Sequence, residues 1–464
     1  MTMWQPNIDT ISGPRYQAIA QALALDVQAG RLKPGDKLPT HRDLAYHLHV
    51  TVGTVTRAYA EAQRQGLLVG EVGRGTFIAQ RNSTDVYFQP VPPPAGMIDM
   101  SLNYPPPEPL AEAALRASLE ELSQRNDLSP FLPYQNYRGF ESHRASFAGW
   151  IARQHRLLVD PQRMTITGGG QHAISAAMAA VAEPGDVVLS AALTWTGIRA
   201  IAEMMQVQLR GLAVDGEGVM PEAFEVACRS FSPKALYLVP TLQNPTGAIM
   251  SENRRRALAH IAERHNVAIV EDDIYGFLAP NAPAPIASIA PEQTLYVGSL
   301  SKSLAPALRI GFLVAPERFQ QRILASIRAT TWMTPPLMAE IAMHWIEAGR
   351  ADQIAENRRR EAARRQALAR DILGLLAGDA ARLGYHLWMH VPAPWRAVDF
   401  VAEARQRGVM IAPTEVFAVG RRPEMEAIRV CLGSPDSIDQ VRQGLLVLRD
   451  LARQPTDTRY LAVV

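Results

Sequence analysis

The sequence predicts a multidomain protein in which a small α+β domain is followed by a larger α/β domain. The chain has 464 residues, more than one hydrophobic core usually serves. Near its start, three short helical patterns lead into two β-prone runs, and beyond Asp99 helical stretches alternate with short apolar runs. The composition, 47% hydrophobic and 20% charged, is that of an ordinary globular protein rather than a disordered or fibrous one.

Composition and charge exclude several classes of protein. No apolar run approaches the ~18 residues that span a bilayer, and residues 1–6 lack the basic and apolar regions of an export signal, so we expect a cytoplasmic protein without membrane contact. Cys228 and Cys431 are too few for a disulfide framework and have no metal-ligand spacing, so we expect no metal site. The net charge of +2 does not by itself indicate a nucleic-acid partner.

Two helices are predicted at the start of the first domain, residues 10–80. A stripe of apolar residues at helical spacing defines the first helix, which ends near Gly30. The stripe consists of Tyr16, Ile19, Ala20, Leu23 and Val27. Thr40 with Asp43 three residues later resembles a capping box and predicts a second helix from His41 to about His49.

A third helix is predicted after a short turn, capped by Thr51 and ended by Gly66. Its buried stripe consists of Val55, Ala58, Tyr59 and Ala62. Two helices joined this closely indicate a helix-turn-helix, whose second helix enters the major groove of DNA. Residues 67–69 and 76–78 are β-prone runs around Gly73-Arg74-Gly75 and predict a hairpin, which makes the domain a winged helix-turn-helix.

The first domain resembles the DNA-binding domain of the GntR family in residues 37–45 (KLPTHRDLA), 54–59 (TVTRAY) and 73–77 (GRGTF). The resemblance implies that the partner is double-stranded operator DNA. It also implies contacts from two helices and the wing, and the candidates are Arg42, Thr51, Thr54, Arg57, Gly73 and Arg74. An arginine binds guanine with two hydrogen bonds, whereas threonine hydroxyls and backbone N–H groups hold phosphates.

One position departs from the GntR pattern. Val52 stands where an arginine is common, which puts one polar DNA contact of the family in question. For Arg42 and Arg57, a solvated helix face remains the alternative interpretation, since a single arginine on a helix is usually a surface residue.

Residues 81–98 lose periodicity and contain Pro90 and residues 92–94, all prolines, so they predict a semi-rigid linker before the second domain, residues 99–464.

Polar residues lie at the predicted strand ends of the second domain, which we expect to contain a mostly parallel sheet. They fall in residues 167–173, 244–247, 271–275 and 298–303. Backbone N–H groups at a helix start bind phosphate, and carboxylates after a strand suit a cation or a protonated ring nitrogen. Taken singly, the glycine run and the turn-like second segment are weak evidence, and a surface lysine is the alternative interpretation of Lys302.

These four segments, in this order, resemble the fold-type I aminotransferases that use pyridoxal 5′-phosphate, in the branch of kynurenine and aminoadipate aminotransferases. The resemblance implies that Lys302 forms the Schiff base and that Asp272 pairs with the pyridinium nitrogen. It implies that Tyr275 and Asn244 bind the phenolic oxygen of the ring. It assigns the phosphate to Gly170, Gln171, Ser299, Ser301 and Arg309.

Three further residues are implied by the same resemblance. Trp195 stacks on the ring in the place usually held by tyrosine or phenylalanine, Tyr134 reaches the phosphate of the neighbouring subunit, and Arg429 binds a substrate or effector carboxylate. A packed core aromatic and a structural salt bridge remain the alternatives for Trp195 and Arg429. Gly170 stands where related enzymes often have serine, so we expect its backbone alone to bind phosphate.

The last part of the chain, from about Ala339, predicts long arginine-rich helices and two strands, residues 385–390 and 427–431, in a small domain. The basic residues 358–360 and 364–365 suggest a second DNA-binding surface. Acidic neighbours such as Glu356 and Glu361 favour a solvated helix face instead.

A GntR-type domain ahead of an aminotransferase-like domain resembles the MocR subfamily of bacterial regulators. The resemblance implies a homodimer with swapped domains that senses an amino compound through the imine at Lys302. Two alternatives stay open: a functional aminotransferase with an appended DNA-binding domain, and a regulator for which pyridoxal 5′-phosphate is itself the signal.

Overall fold

The computed structural model describes residues 4, 6, 8, 14–28, 31–32, 35–64, 67–71, 75–78, 94, 96–378, 383–420 and 425–454. By its internal contacts the chain divides into two compact units, Met1–Thr84 and Asp85–Val464. Most of the predicted linker lies outside the described residues, and the domain boundaries stay predictions.

The first unit contains three helices and a β-hairpin, as predicted. They are α1 Arg15–Gln28, α2 His41–His47, α3 Val52–Arg64, β1 Leu68–Glu71 and β2 Gly75–Ile78. The two strands pair antiparallel. Both predicted caps are confirmed, because Thr40 Oγ1 accepts a 3.2 Å hydrogen bond from Asp43 N and Thr51 Oγ1 accepts one of the same length from Thr54 N. The second helix ends two residues earlier than predicted, since His49 has a positive φ of 49°.

One hydrophobic core holds the first unit together. Leu23 of α1 and Leu44 of α2 are buried with Val55 and Tyr59 of α3. The Tyr59 hydroxyl donates to Pro39 O at 3.0 Å, which satisfies the one polar atom of that side chain. The apolar periodicity therefore identified the inward faces of the helices correctly. The opposite faces of α2 and α3 are exposed to solvent.

Twelve helices and fourteen strands make up the described part of the second unit. The helices are α4 Pro109–Ser123, α5 Glu141–His155, α6 Gly170–Val181, α7 Thr196–Met204, α8 Pro221–Phe231, α9 Glu252–His265, α10 Leu300–Ser303, α11 Glu317–Thr330, α12 Pro336–Glu347, α13 Arg350–Leu373, α14 Ala397–Gln406 and α15 Ile438–Ala452. The strands are β3 Ile98–Asp99, β4 Met164–Thr167, β5 Val187–Ala191, β6 Gln208–Leu212, β7 Val214–Asp215, β8 Gly218–Val219, β9 Ala235–Leu238, β10 Ala268–Asp272, β11 Thr294–Ser299, β12 Gly311–Val314, β13 His386–His390, β14 Val409–Met410, β15 Ala412–Pro413 and β16 Ala427–Cys431. Of all the helices that the structure describes, none is long and apolar enough to cross a membrane.

A seven-stranded mixed sheet is the centre of the second unit, in the order β4-β12-β11-β10-β9-β5-β6. Its pairings are parallel except those of β12, which runs antiparallel to both β11 and β4. The prediction of a mostly parallel sheet is confirmed, with β12 as the exception. The carboxyl ends of β9, β10 and β11 therefore lie at the same edge of the sheet.

Helices cover both faces of this sheet. Val188, Tyr237 and Val270 pack with α6 and α11 on one face. Their sequence neighbours Leu189, Leu236 and Ile269 pack with α8 and α9 on the other. Because both faces are buried, the strands appear in the sequence as continuous apolar runs rather than as alternating ones.

The C-terminal part forms a smaller α/β layer around the antiparallel sheet β13-β16-β15, which confirms the two predicted strands. Leu387, Ile428 and Val430 of this sheet share one core with α13, α14 and α15. The short strand β14 pairs in parallel with β3.

The prediction of a solvated basic face on α13 is wrong for Arg358 and Arg365, which are only 4% and 3% exposed. Arg358 donates to Pro106 O and Leu304 O, both at 2.7 Å. Arg365 donates to backbone carbonyls that follow β16 and to Glu361. The pattern of basic and acidic residues did not indicate this burial, because most of the acceptors are main-chain carbonyls from segments that are distant in the sequence.

Candidate functional site

A cavity of about 430 Å³ opens at the carboxyl edge of the large sheet. All the predicted cofactor and effector residues except Tyr134 line it. They are Gly170, Gln171, Trp195, Asn244, Asp272, Tyr275, Ser299, Ser301, Lys302, Arg309 and Arg429. The fold thus brings together residues that are up to 259 positions apart, counting from Gly170 to Arg429, while the role of each stays a prediction.

Lys302 lies on the short helix α10, directly after β11. Its Nζ donates to Asn103 O and lies 5.6 Å from the centroid of the Tyr104 ring. Desolvation in the cavity, followed by the charges of Arg429, Arg358 and Arg309 against an opposing contribution from Cys431, lowers the pKa of the amine to about 8. A lowered pKa raises the share of the neutral amine at physiological pH, and the neutral amine is the form that attacks an aldehyde.

Lysines are rare in this chain. The sequence has only Lys33, Lys37, Lys234 and Lys302. In the second unit, Lys234 is exposed at the start of β9, whereas Lys302 is partly buried in the cavity. Among the described residues that line the cavity, Lys302 is therefore the one with an amine that can bind an aldehyde covalently.

Asp272 is the last residue of β10 and is 5% exposed. It accepts hydrogen bonds from Tyr237 Oη at 2.7 Å and from Ile274 N at 3.2 Å. Burial raises the pKa of its carboxyl to about 6 in spite of these two donors. The group is still mostly ionised at neutral pH, and both donors are neutral, so the site suits a protonated ring nitrogen.

The start of α6 forms a cradle for an anion. Gly169 caps this helix with a φ of +95° and without a side-chain hydrogen bond, so N–H groups of the first turn remain available. Arg309 lies beside them, with Nη2 donating to Gly168 O at 3.1 Å and Nη1 lying 3.5 Å from Ser301 Oγ. Glycine is favoured here by the φ of +95°, a backbone conformation that other residues adopt only with strain.

The departure at Gly170 has a physical reason in this packing. A Cβ at this position would lie 2.6 Å from Ile274 Cδ1 and 3.2 Å from Ser299 Cβ. A serine at 170 would therefore require the Ile274 side chain to shift. The residues of the cradle fit a phosphate, and those of the whole cavity fit pyridoxal 5′-phosphate.

Arg429 lies on β16 and is 2% exposed. Its Nη1 donates to Asn244 Oδ1 at 2.7 Å and its Nη2 to Ser101 O at 2.5 Å, and its guanidinium lies 4.6 Å from the Phe417 ring centroid. Arg429 lines the cavity, so a carboxylate bound there would meet a positively charged guanidinium that can donate two hydrogen bonds. The Asn244 oxygen is occupied, which leaves its NH₂ group as the donor.

Of the predicted aromatic residues Trp195 and Tyr134, Trp195 lines the cavity and Tyr134 does not. Trp195 precedes α7 and its ring lies over Gly197, where a Cβ would approach it to 2.0 Å. Tyr134 is 80% exposed, and its ring lies 5.6 Å from that of Trp332. The structure does not bring Tyr134 to the cavity of its own chain, and its predicted contact with a neighbouring subunit stays a prediction.

Sequence reasoning missed Leu102, Asn103 and Tyr104, which line the cavity just before a run of three prolines. No motif marked these three residues in the sequence. His386 was also missed, and it contacts two cavity-lining residues, with Nδ1 lying 3.1 Å from Asn103 Nδ2 and its ring 6.4 Å from that of Tyr275.

Four of the predicted DNA-contacting residues are described by the structure, and they lie on α2, on α3 or at the N-cap of α3. Arg42, Thr51 and Arg57 are exposed, and Thr54 is half-buried. The Arg57 guanidinium lies 5.3 Å from the Tyr16 ring centroid, which holds it against α1. Val52, the departure from the family pattern, is 45% exposed at the start of α3. Gly73 and Arg74 lie outside the described residues.

Comparison with known proteins agrees with this organisation. Residues 15–78 match the family of bacterial regulatory proteins, gntR family, and residues 95–445 match aminotransferase class I and II. The chain is 29% identical to the HTH-type transcriptional regulator YdeF of Bacillus subtilis, over 97% of this chain and 96% of that one. It is 28% identical to the HTH-type transcriptional regulator TauR of Rhodobacter capsulatus, over 93% and 97%.

The second unit also resembles solved structures. The kynurenine aminotransferase of Pyrococcus horikoshii superposes with a TM-score of 0.71 at 23% identity, covering 78% of this chain and 91% of that one. At this identity the likeness shows the fold. The chain belongs to the aminotransferase class I and II family and carries a GntR DNA-binding domain ahead of it, so it is a regulator of the MocR type whose second domain uses pyridoxal 5′-phosphate.

Proposed function

We propose that the protein couples an amino compound, bound at the cofactor site, to operator DNA bound by the first domain. The observation that carries this proposal is the meeting of Lys302, Asp272 and Arg429 at one cavity, in a chain whose other domain is of the GntR family. A site that contains an amine, a buried carboxylate and an arginine can bind a ligand both covalently and by charge. A domain with a purely structural role would not need these groups together.

The proposed roles follow from the groups that each residue offers. Pyridoxal 5′-phosphate supplies an aldehyde and an electron-withdrawing ring when it is bound. Lys302 provides the neutral amine that holds it, and Asp272 keeps a positive charge on the ring nitrogen. Asn244 donates to the phenolic oxygen through its NH₂ group, because its own oxygen already accepts from Arg429. The backbone at the start of α6, with Arg309 beside it, would hold the phosphate.

The effector that suits this site carries an amine and a carboxylate. Lys302 is the group that such an amine would replace at the cofactor, and Arg429 would bind the carboxylate. Arg429 is held by Asn244 and Ser101, so it is already oriented before a ligand arrives. This preorganisation favours carboxylates over neutral amines of the same size.

A homodimer is the proposed assembly. Tyr134, Trp332 and Leu132 are 80%, 44% and 82% exposed, and the rings of Tyr134 and Trp332 lie 5.6 Å apart, so these side chains suit contact with a second copy. In such a dimer, release of Lys302 by the effector shifts the population between two arrangements of the DNA-binding domains.

An aminotransferase with an appended DNA-binding domain is the second candidate. The completeness of the cavity favours it, because Lys302, Asp272, Tyr275 and Arg429 are the groups that amino-group transfer needs. A regulator that senses pyridoxal 5′-phosphate itself is the third, and it requires the same cradle but no effector at Arg429.

One titration separates the three candidates. Amino acids are added to the cofactor-loaded protein while its absorbance, keto-acid release and affinity for promoter DNA are measured, with primary amines lacking a carboxylate as the control ligands. We expect an absorbance change and a changed DNA affinity with at most one turnover, for carboxylate-bearing ligands only. Sustained keto-acid release at constant DNA affinity would support the enzyme instead. A DNA affinity that changes with cofactor alone would support cofactor sensing.

Arg42→Ala is expected to weaken operator binding by about 1–3 kcal/mol if Arg42 contacts a base. The measurement is a gel shift at constant salt, since affinity for DNA depends strongly on salt. Arg31→Ala is the matched control, because Arg31 is also exposed but is paired with Asp26 at 2.6 Å. Equal losses in both variants would show a general effect of charge and would remove Arg42 from the base-contacting residues.

A further inference from the structure

A hydrogen-bonded chain of three buried side chains leads from β13 to the cofactor cavity. Asn103, Tyr275 and His386 are 8%, 8% and 3% exposed. Asn103 Nδ2 lies 2.8 Å from Tyr275 Oη and 3.1 Å from His386 Nδ1. His386 Nε2 lies 3.3 Å from the carbonyl oxygen of Gln243. Asn103 and Tyr275 line the cavity, while His386 stands behind them.

The proton positions in this chain are determined by its far end. A carbonyl only accepts, so His386 Nε2 carries the hydrogen that points to Gln243 O. Burial, reinforced by the positive charges of Arg429 and Lys302, lowers the pKa of His386 to about 3, so the ring is neutral and Nδ1 is an acceptor. The Asn103 atom that faces Nδ1 must then be its NH₂ group, because the amide oxygen there would meet a second lone pair.

The consequence reaches Tyr275. The second hydrogen of the Asn103 NH₂ group points to Tyr275 Oη, so this oxygen accepts and its own proton is directed elsewhere. Burial raises the pKa of the Tyr275 hydroxyl, which keeps that proton on the oxygen at physiological pH. The remaining acceptor that the proposed function places beside Tyr275 is the phenolic oxygen of the cofactor.

We propose that Asn103 and His386 are positioning residues that fix the direction in which Tyr275 donates its proton. Without the neutral ring of His386, the Asn103 amide is free to rotate and to accept the Tyr275 proton with its oxygen. The Tyr275 hydroxyl would then no longer donate a hydrogen bond to the phenolic oxygen of the cofactor. This inference rests on the proposed role of Tyr275 at the phenolic oxygen.

The test uses the full-length, cofactor-loaded protein and measures the pH midpoint at which the absorbance of the Lys302-linked cofactor changes. A hydrogen bond donated to the phenolic oxygen withdraws negative charge from the neighbourhood of the imine nitrogen that joins Lys302 to the cofactor. The protonated imine is then less stabilised, so its pKa, which is the measured midpoint, is lower. We expect Tyr275→Phe to raise the midpoint by about one pH unit. We expect His386→Phe to raise it by about half a pH unit, which is roughly a threefold change in the acid dissociation constant. The double variant is expected to match Tyr275→Phe within about 0.2 unit.

Other charges near the network are retained in every variant. They are Lys302, Arg429, Arg309, Arg358 and Asp272, together with the thiol of Cys431 and the hydroxyl of Tyr385. His386→Gln is the conservative variant, since its amide offers both an N–H for Gln243 O and an oxygen for Asn103. It is expected to restore most of the wild-type midpoint, which a variant that only perturbs packing would not do.

Each outcome decides the proposal. A shift in His386→Phe that persists in the Tyr275→Phe background would overturn it, because the histidine would then act through Gln243 and Asn244 instead. An unchanged midpoint in His386→Phe, with Tyr275→Phe shifted, would also overturn it while leaving the cofactor site intact. Failure of the wild-type protein to form the linked cofactor at all would overturn the proposed function as well, so the two failures are distinguishable.

Discussion

Lys302→Ala is expected to abolish covalent attachment of pyridoxal 5′-phosphate completely. Lys302 and Lys234 are the two lysines of the second unit, and Lys302 is the one that lines the cavity. An imine forms only with a primary amine, and no neighbouring side chain in the cavity offers a replacement among the residues that the structure describes. The measurement is borohydride reduction followed by mass spectrometry of the intact chain, which detects the added mass of the cofactor.

Lys234→Ala is the matched control for this variant. Lys234 belongs to the same unit but is exposed at the start of β9, so we expect it to retain the full mass of the reduced adduct. An adduct that persists in Lys302→Ala would show that a different amine holds the cofactor. An adduct lost in both variants would indicate a general loss of folding, which circular dichroism detects.

Arg365→Met is expected to destabilise the second unit by about 3–5 kcal/mol. Arg365 is 3% exposed, and its guanidinium donates to Leu432 O at 2.7 Å, to Pro435 O at 2.8 Å and to Glu361 at 2.7 Å. Methionine fills a similar volume but leaves the carbonyls without a donor, which is the costly way to break a buried polar network. The measurement is the unfolding transition of the second unit in denaturant.

Arg364→Met provides the control from the adjacent position of α13. Its side chain is 64% exposed, and its ion pair with the same Glu361 has a separation of 3.5 Å. Exposed ion pairs of this kind contribute little, so we expect a change within about 0.5 kcal/mol. Equal destabilisation by the two variants would contradict the distinction between a buried and a solvated arginine on this helix.

Much of the architecture was predictable because it depends on local patterns. The capped helices α2 and α3 and the hairpin follow from Thr40, Thr51 and the glycine-rich turn. The parallel strands follow from continuous apolar runs, and their shared carboxyl edge explains why Asp272 and Lys302 come together. In contrast, nothing local indicates that β12 runs antiparallel, because a buried strand has the same apolar composition in either direction.

By itself, the sequence determined the order of the two domains and the types of side chain at the ends of the central strands, since periodicity, capping and turn chemistry act over a few residues. Only the tertiary structure decided which polar groups are partners. Asn103 and His386 are 283 positions apart, and Arg365 binds carbonyls about 70 positions away. Such pairs are selected by burial and hydrogen-bond geometry once the chain is packed, and these act between segments whose separation along the chain carries no signal.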